Sequence, residues 1–190
     1  MTYIQLWNGD VCDLEVDAIV SPASPSLWMS SGVAVAIKAT AGDDVEFAAV
    51  RQQPVAVGDA VVTDGGRLAA RLVIHAVSLD SDRRTNGAAI EAAIRSAFAR
   101  AREHDVTTLA MPALGTAVGG FPLDTAAQIT VATVRDELRR SPGIERVVLA
   151  MRGVIVYSAF ERALTAPVAI DIVVNPFPVA RLGADHEVPV

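Results

Sequence analysis

Short apolar segments with the length of buried β-strands alternate along this chain with segments of helical periodicity. Such alternation is typical of α/β proteins, in which helices cover both faces of a central sheet. We therefore predict a three-layer α/β/α fold with about six strands. The predicted strands are Tyr3 to Trp7, Ala18 to Val20, Ala60 to Thr63, Leu72 to Val77, Thr107 to Met111 and Arg146 to Met151.

Helical periodicity is clearest in two segments of the second half of the chain. Apolar residues from Ile90 to Ala101 share one face of a helix that is predicted to follow Asn86, a residue type suited to N-capping. The next predicted helix begins at Pro122 and ends before Pro142, because proline is accepted in a first helical turn and disrupts a helix interior. Shorter helices are predicted from Val33 to Ala41 and from about Ser158 to Leu164.

Two glycine-containing turns each lead directly into a predicted helix. The first is Ser30-Ser31-Gly32, and the second is Gly115 to Phe121, which follows the strand that ends at Met111. A helix N-terminus carries unpaired N–H groups and a partial positive charge, and glycine lets an anion approach the backbone closely. Both turns follow strands, where ligands of α/β sheets usually bind. Together they favour a diphosphate held between two loops.

Composition limits the classes of function that are open to the chain. Its 190 residues are predicted to form one main domain with a net charge of −6, which argues against bulk binding to nucleic acid or an anionic membrane. The single cysteine, Cys12, excludes an internal disulfide and a cysteine-based zinc site. We expect no cofactor and no metal. With no signal peptide or membrane-spanning run recognised, we expect a cytoplasmic location.

Several short motifs occur in an order that resembles macrodomains. They are Asn8-Gly9-Asp10-Val11, Val16-Asp17-Ala18-Ile19-Val20, Ser31-Gly32-Val33, Val73-Ile74-His75-Ala76-Val77, Met111-Pro112-Ala113-Leu114-Gly115 and Gly119-Gly120-Phe121-Pro122. The resemblance covers roughly residues 3 to 165, and its specificity comes from the shared order and spacing. It implies a macrodomain with a mixed sheet over residues 1–165. Residues 166–190 are then a C-terminal extension that packs on the domain or on a neighbour, with Ile170 to Val174 as a possible extra strand.

The resemblance also implies a ligand site, because macrodomains bind ADP-ribose and related molecules. Asp10 matches the aspartate that accepts a hydrogen bond from the adenine amino group, with the Val11 amide beside it. Ser31, Gly32 and Val33 match the first phosphate loop. The second phosphate loop is matched by Gly115, Thr116, Ala117, Val118, Gly119, Gly120 and Phe121.

The chain departs from the family pattern at several of these positions. Ser24 stands where an asparagine commonly contacts the distal ribose and supports hydrolysis in several active branches. Ser30 and Ser31 replace two common glycines, and Ala117 stands where a glycine is usual. Arg152 follows the last strand, where an aromatic residue often stacks on adenine. A guanidinium can stack there instead, and a solvated surface arginine is the alternative.

Three functions remain open from the sequence. The leading one is binding of ADP-ribose or a related ADP-ribosyl metabolite or adduct, with an ADP-ribosylated protein as a possible partner. The second is a hydrolase of ADP-ribosyl conjugates or an O-acetyl-ADP-ribose deacetylase, for which no catalytic residue is assigned because Ser24 replaces the usual asparagine. The third is an interaction scaffold that has lost ligand binding.

Overall fold

The computed structural model describes residues 2–140, 142–166 and 186–189. The strands are β1 (Tyr3–Trp7), β2 (Ala18–Ala23), β3 (Ala60–Asp64), β4 (Leu72–Val77), β5 (Thr108–Met111), β6 (Arg146–Ala150) and β7 (His186–Pro189). The helices are α1 (Gly32–Ala41), α2 (Asp43–Val50), α3 (Gly87–Glu103), α4 (Leu123–Arg140) and α5 (Val154–Thr165), with a 3-10 turn at Val11–Asp13. None of the helices in these ranges combines the length and apolar character needed to cross a membrane.

Within these described ranges, the strands form one mixed sheet in the order β3-β4-β2-β5-β6-β1-β7. The five central strands are parallel, whereas β3 and β7 pair antiparallel at the two edges. The carboxyl ends of β4, β2, β5, β6 and β1 therefore lie at the same end of the sheet. The predicted α/β fold with a mixed sheet of about six strands is confirmed, and β7 extends it.

Side chains along the parallel strands alternate between two apolar cores on opposite faces of the sheet. On one face, Val20 packs in the larger core with Phe98 and other residues of α3, α4 and α5. On the other face, Ile19 packs with Ile37 of α1 and Val45 of α2. Consecutive residues of one strand thus contact different helical layers, which produces the three-layer arrangement.

Helix α3 begins as predicted and is tied to its neighbour α4 by ion pairs. The side-chain Oδ1 of Asn86 accepts a hydrogen bond from the amide of Ala89 at 2.9 Å, which confirms the predicted N-cap. Farther along α3, Arg95 donates to Asp136 at 2.7 Å and to Glu137 at 2.8 Å, both on α4. The two helices are therefore joined by charge as well as by apolar packing.

Strand β2 is longer than the sequence predicts, because it continues through Pro22 to Ala23. Its pairing with β5 ends at Ile19, whereas its pairing with β4 continues to the last residue. Beyond Ile19 the strand pairs with β4 alone. Pro22 is tolerated there because one side of the strand needs no N–H donor for a ladder hydrogen bond.

Helix α5 also begins earlier than predicted, at Val154 rather than near Ser158. Gly153 directly before it has a φ of +97°, a conformation that favours glycine and that turns the chain sharply out of β6. The first helical residues, Val154 and Ile155, are β-branched and 71% and 75% exposed, so neither propensity nor burial indicates a helix there.

The described part of the C-terminal extension belongs to the sheet. Strand β7 pairs antiparallel with β1, from Leu6 opposite His186 to Tyr3 opposite Pro189. The predicted strand from Ile170 to Val174 lies outside the described residues. The end of α5 at Thr165 agrees with the proposed boundary at residue 165, which stays a prediction.

Candidate functional site

A cleft of about 300 Å³ lies at the carboxyl ends of β1, β5 and β6 and against the first turn of α1. This is the end of the sheet where the five parallel strands finish, so several loops converge on one space. The lining residues are Gly9, Asp10, Val11, Gly32, Val33, Ala36, Pro112, Ala113, Thr116, Ala117, Ala150, Met151, Arg152 and Val156. The cleft therefore brings together segments that lie more than 140 residues apart in the sequence.

Asp10 holds the turn at one end of this cleft. Its Oδ1 accepts a hydrogen bond from the amide of Cys12 at 3.0 Å and caps the 3-10 turn, while its Oδ2 lies 3.5 Å from Nη1 of Arg152. Val11 beside it is buried. Burial, aided by the neighbouring Asp10, raises the pKa of the Cys12 thiol to about 11. This end of the cleft thus presents a carboxylate acceptor. The neighbouring Cys12 thiol, which is outside the cleft lining, stays protonated and unreactive at neutral pH.

The first glycine turn brings the N-terminus of α1 to the cleft. Ser31 is the N-cap residue, with an extended backbone, and its side chain makes no capping hydrogen bond. Gly32 has a φ of +57°, and Gly32 and Val33 line the cleft. The first turn of α1 contains no acidic residue. The positive end of the helix is therefore uncompensated by a local carboxylate, which favours an anion.

The second glycine turn contributes Thr116 and Ala117 to the cleft wall. The turn is closed by a hydrogen bond from the amide of Phe121 to the carbonyl oxygen of Gly115 at 3.0 Å. A Cβ at Gly32 would lie 3.9 Å from Cγ2 of Val118. The two glycine turns therefore lie within van der Waals distance of each other at Gly32 and Val118.

Two glycines of the second turn have a packing role that the sequence did not reveal. A Cβ at Gly119 would lie 2.7 Å from the Gly115 carbonyl oxygen, 2.8 Å from Cγ2 of Thr85 and 2.9 Å from Cδ2 of Leu79. A Cβ at Gly115 would lie 2.9 Å from Cδ1 of Ile90 and from the same Thr85 methyl group. Both positions thus require glycine for the loop to pack on its own domain.

Half of the predicted site residues do not contribute to the described lining of the cleft. These are Ser24, Ser31, Gly115, Val118, Gly119, Gly120 and Phe121. Ser24 directly follows β2, and its hydroxyl is 3.3 Å from the hydroxyl of Ser26. Gly120 has a φ of +60° and open space around the position of a Cβ. These residues shape or flank the cleft.

The apolar walls of the cleft were not predicted as site residues. Pro112 and Ala113 follow β5, Met151 follows β6, and Val156 belongs to α5. Val156 could not be placed because the sequence predicts that α5 begins two residues later. Two sequence signals were available for Pro112 and Ala113. One was their position between a predicted strand and the second glycine turn, and the other was their place in the motif from Met111 to Gly115.

A buried carboxylate supports the first glycine turn from behind. Glu46 on α2 is 3% exposed and accepts a hydrogen bond from the amide of Met29 at 2.7 Å. It also pairs with Lys38 on α1, and the hydrogen bond to Glu46 raises the pKa of that lysine. Since Met29 lies three residues before Gly32, Glu46 fixes both the approach to the turn and the helix that follows it.

The described residues include no group of three or more His, Cys, Asp or Glu side chains that could hold a metal ion. His75 lies away from the cleft, is 1% exposed, and shares a hydrogen bond with Thr63 at 2.9 Å. Burial lowers the pKa of His75 to about 4. At neutral pH this side chain is an uncharged part of the core.

Comparison with known protein sequences identifies the family. The family model of the Macro domain matches residues 20–130. A protein of Mycobacterium tuberculosis, Rv1899c, is 38% identical over 167 residues, which are 87% of this chain. The chain spans about half the length of that relative, 46%. A macro domain-containing protein of Cupriavidus necator is 36% identical over 151 residues, covering 76% of this chain and 87% of the relative.

Solved structures have the same fold. The Trypanosoma brucei macrodomain in complex with ADP-ribose has a TM-score of 0.79 and 25% identity, covering 85% of this chain and 68% of that chain. The macro domain of ganglioside induced differentiation associated protein 2 has a TM-score of 0.77 and 30% identity, covering 85% and 82%. A mutant of the Oceanobacillus iheyensis macrodomain, with a TM-score of 0.79 and 23% identity, covers 85% and 90%.

Proposed function

The chain belongs to the macrodomain family, and on this basis we propose that it binds ADP-ribose or a related ADP-ribosyl metabolite or adduct. The observation that carries the proposal is the single cleft that joins Asp10 to both glycine turns. A carboxylate acceptor at one end and two amide-rich turns at the other match a ligand with an amino-bearing base and a diphosphate.

In this proposal the adenine lies at the Asp10 end of the cleft. The Oδ2 atom of Asp10 accepts a hydrogen bond from the exocyclic amino group, and the amide of Val11 donates to the base. The apolar side chains of Met151 and Val156 supply a surface for the ring. Arg152 is exposed, so its guanidinium can leave Asp10 and stack on the base at small cost.

The diphosphate is proposed to lie between the turns at Gly32 and Ala117. Gly32 and Val33 at the start of α1 line the cleft, as do Thr116 and Ala117 of the second turn. Backbone donors explain how a chain with a net charge of −6 binds an anion without a basic surface. The methyl group of Ala117 narrows the cleft where a glycine is usual, which limits how closely a phosphate approaches.

The relatives support this choice of ligand. The Trypanosoma brucei structure holds ADP-ribose, another structure of the same protein holds ADP, and ADP-ribose is also bound in an Oceanobacillus iheyensis macrodomain mutant. An ADP-ribosylated protein is the proposed macromolecular partner, because the same cleft would accept the nucleotide as a modification. The cytoplasmic location stays a prediction.

We propose binding rather than hydrolysis as the main activity. Ser24 offers one hydroxyl where an amide with both a donor and an acceptor is common, and this hydroxyl faces Ser26. Cys12 and His75 are the described residues most suited to nucleophilic or base chemistry. The Cys12 thiol is protonated, and the His75 imidazole is neutral and buried. Neither provides an activated group in the cleft.

Calorimetric titration of the protein with ADP-ribose, ADP and AMP tests the proposal. Saturable binding of ADP-ribose at a one-to-one ratio supports it, and absence of binding contradicts it and favours the interaction scaffold. A product assay on ADP-ribosylated protein and on O-acetyl-ADP-ribose then separates the binder from the hydrolase and deacetylase alternatives.

A further inference from the structure

The loop between β4 and α3, residues 78–86, contacts both glycine turns. The methyl group of Thr85 packs against the second turn at Gly115 and Gly119, and Leu79 packs against the same turn. From the other side of the loop, Nη2 of Arg83 lies 3.3 Å from the hydroxyl oxygen of Ser30 in the first turn. One loop therefore connects the two segments that are proposed to hold the diphosphate.

Arg83 is held at this place by a well-ordered turn. The Oδ1 atom of Asp80 accepts hydrogen bonds from the amides of Asp82 at 2.9 Å and Arg84 at 2.8 Å, and the amide of Arg83 donates to the carbonyl oxygen of Asp80 at 3.0 Å. Arg83 itself has a φ of +62°, a left-handed conformation that is uncommon for arginine. Such a conformation directs the side chain toward the first glycine turn at a cost in backbone strain.

The positive charge of the Arg83 guanidinium is not neutralised by an ion pair with a described residue. The guanidinium donates a hydrogen bond to the neutral hydroxyl of Ser30, and no carboxylate among the described residues lies within ion-pair distance of it. A guanidinium carries five N–H donors in a planar array that fits phosphate oxygens. Arg83 thus offers a positive charge and several donors beside the first turn, in a chain that is otherwise acidic.

The order of the strands places Arg83 on the opposite side of the two glycine turns from Asp10, just outside the cleft lining. Asp10 follows β1 and Arg83 follows β4, and β2 and β5, which lead to the two glycine turns, lie between them in the sheet. A nucleotide with its base at Asp10 and its diphosphate between the turns therefore extends toward Arg83. The part of the diphosphate nearest to Arg83 is the phosphate that is farther from the adenosine.

We propose that Arg83 is a ligand-binding residue that donates to the distal phosphate of a nucleoside diphosphate. This inference rests on the proposed function, and it adds a side-chain cation to a site otherwise built from backbone amides. The contact with Ser30 holds the guanidinium in place before the ligand binds. A nucleoside monophosphate, which lacks the distal phosphate, gains nothing from Arg83.

The variant Arg83→Asn tests this proposal, because asparagine tolerates the left-handed backbone and removes the charge. Its matched control is Arg84→Asn, the adjacent exposed arginine of the same loop. We expect Arg83→Asn to weaken binding of ADP and ADP-ribose about tenfold, as for loss of a charged hydrogen bond, and to leave AMP binding unchanged. The salt dependence of ADP-ribose binding should also become less steep.

Failure of this proposal can be distinguished from failure of the proposed function. If the proposed function is wrong, the unchanged protein does not bind ADP-ribose at all. If that protein binds ADP-ribose and Arg83→Asn binds ADP as tightly, the proposal is wrong. An equal loss for AMP also overturns it. Ser30→Ala provides the remaining comparison. It removes the contact that positions the guanidinium but keeps the charge, so we expect a smaller loss of ADP binding than for Arg83→Asn and no change for AMP. If Ser30→Ala and Arg83→Asn weaken ADP and AMP binding equally, Arg83 acts only through the turn and does not contact the ligand.

Discussion

The carboxylate of Asp10 lies 3.5 Å from the guanidinium of Arg152, although the two residues are 142 positions apart in the sequence. The side chain of Arg152 is 81% exposed, whereas that of Asp10 is 29% exposed. A surface ion pair of this kind contributes at most about 1 kcal/mol, so a ligand that hydrogen-bonds to Asp10 can displace the arginine. The pair therefore covers the proposed adenine position with a movable cation.

Arg152→Ala is expected to weaken ADP-ribose binding by about 0.5–1 kcal/mol, because the displaced guanidinium stacks on the base at an exposed site. Calorimetric titration measures the change. Arg162→Ala is the control, since Arg162, which lies on α5, is also exposed and ion-paired, and its removal should not change the affinity. Tighter binding by Arg152→Ala would mean that the arginine competes with the base and does not stack on it.

Hydrolysis of ADP-ribosylated carboxylate side chains is expected to be slow, with a turnover well below about 1 per second. Catalysis requires the distal ribose to be held in a reactive geometry, and a displacement of about 1 Å can reduce a rate roughly a hundredfold. Ser24→Asn should raise the rate in a single-turnover product assay, and Ser26→Asn is the control. A turnover of the unchanged protein typical of enzymes would favour the hydrolase alternative.

Gly119→Ala is expected to destabilise the protein by about 1–3 kcal/mol, because the added methyl group has to displace backbone and side chains of its own domain. Gly120→Ala in the same turn is the matched comparison. Its surroundings are open, so only its left-handed backbone opposes the change, at about 1 kcal/mol. Urea denaturation measures both. Equal or reversed costs would contradict the packing role of Gly119.

The stability of the protein should depend on pH through His75. Burial lowers the pKa of this residue from 6.5 to about 4, so the unfolded chain binds a proton at higher pH than the folded protein does. Protonation of His75 therefore leaves the free energy of unfolding unchanged above pH 6.5. As the pH falls from 6.5 toward 4, it lowers this free energy by up to about 3 kcal/mol. His75→Gln, which can keep a hydrogen bond to Thr63, should flatten this part of the curve. An unchanged slope in chemical denaturation between pH 4 and 6.5 would disprove the assignment.

The sequence predicts those parts of the fold that depend on local patterns. The cap at Asn86, the apolar face of α3 and the extent of β4 each rest on neighbouring residues, and each prediction is confirmed. Helix α2 was not predicted, because its eight residues follow α1 after a single glycine and offer no clear period. The early start of α5 was missed because its first residues are exposed and β-branched.

The site is less accessible from the sequence, because its decisive contacts are long-range. The motifs point to Asp10 and the two glycine turns, but they do not reveal that Arg152 pairs with Asp10. No local pattern connects Arg83 with Ser30, which lie 53 positions apart. The same limit applies to Gly119. From the sequence, a glycine that is required because a Cβ would clash with its own domain cannot be told from a glycine that lets a phosphate approach the backbone. Only the positions of the neighbouring atoms separate the two roles.

The adenine assignment is tested most directly by titrating ADP-ribose into the unchanged protein, Asp10→Asn and Asp13→Asn. An asparagine at position 10 can still cap the turn through its oxygen, but it then turns an amide nitrogen toward the ligand's amino group. Asp13 is an exposed carboxylate of the same turn. We predict that Asp10→Asn loses about 1–3 kcal/mol of binding free energy, whereas Asp13→Asn binds like the unchanged protein. Equal affinities of all three would contradict the account.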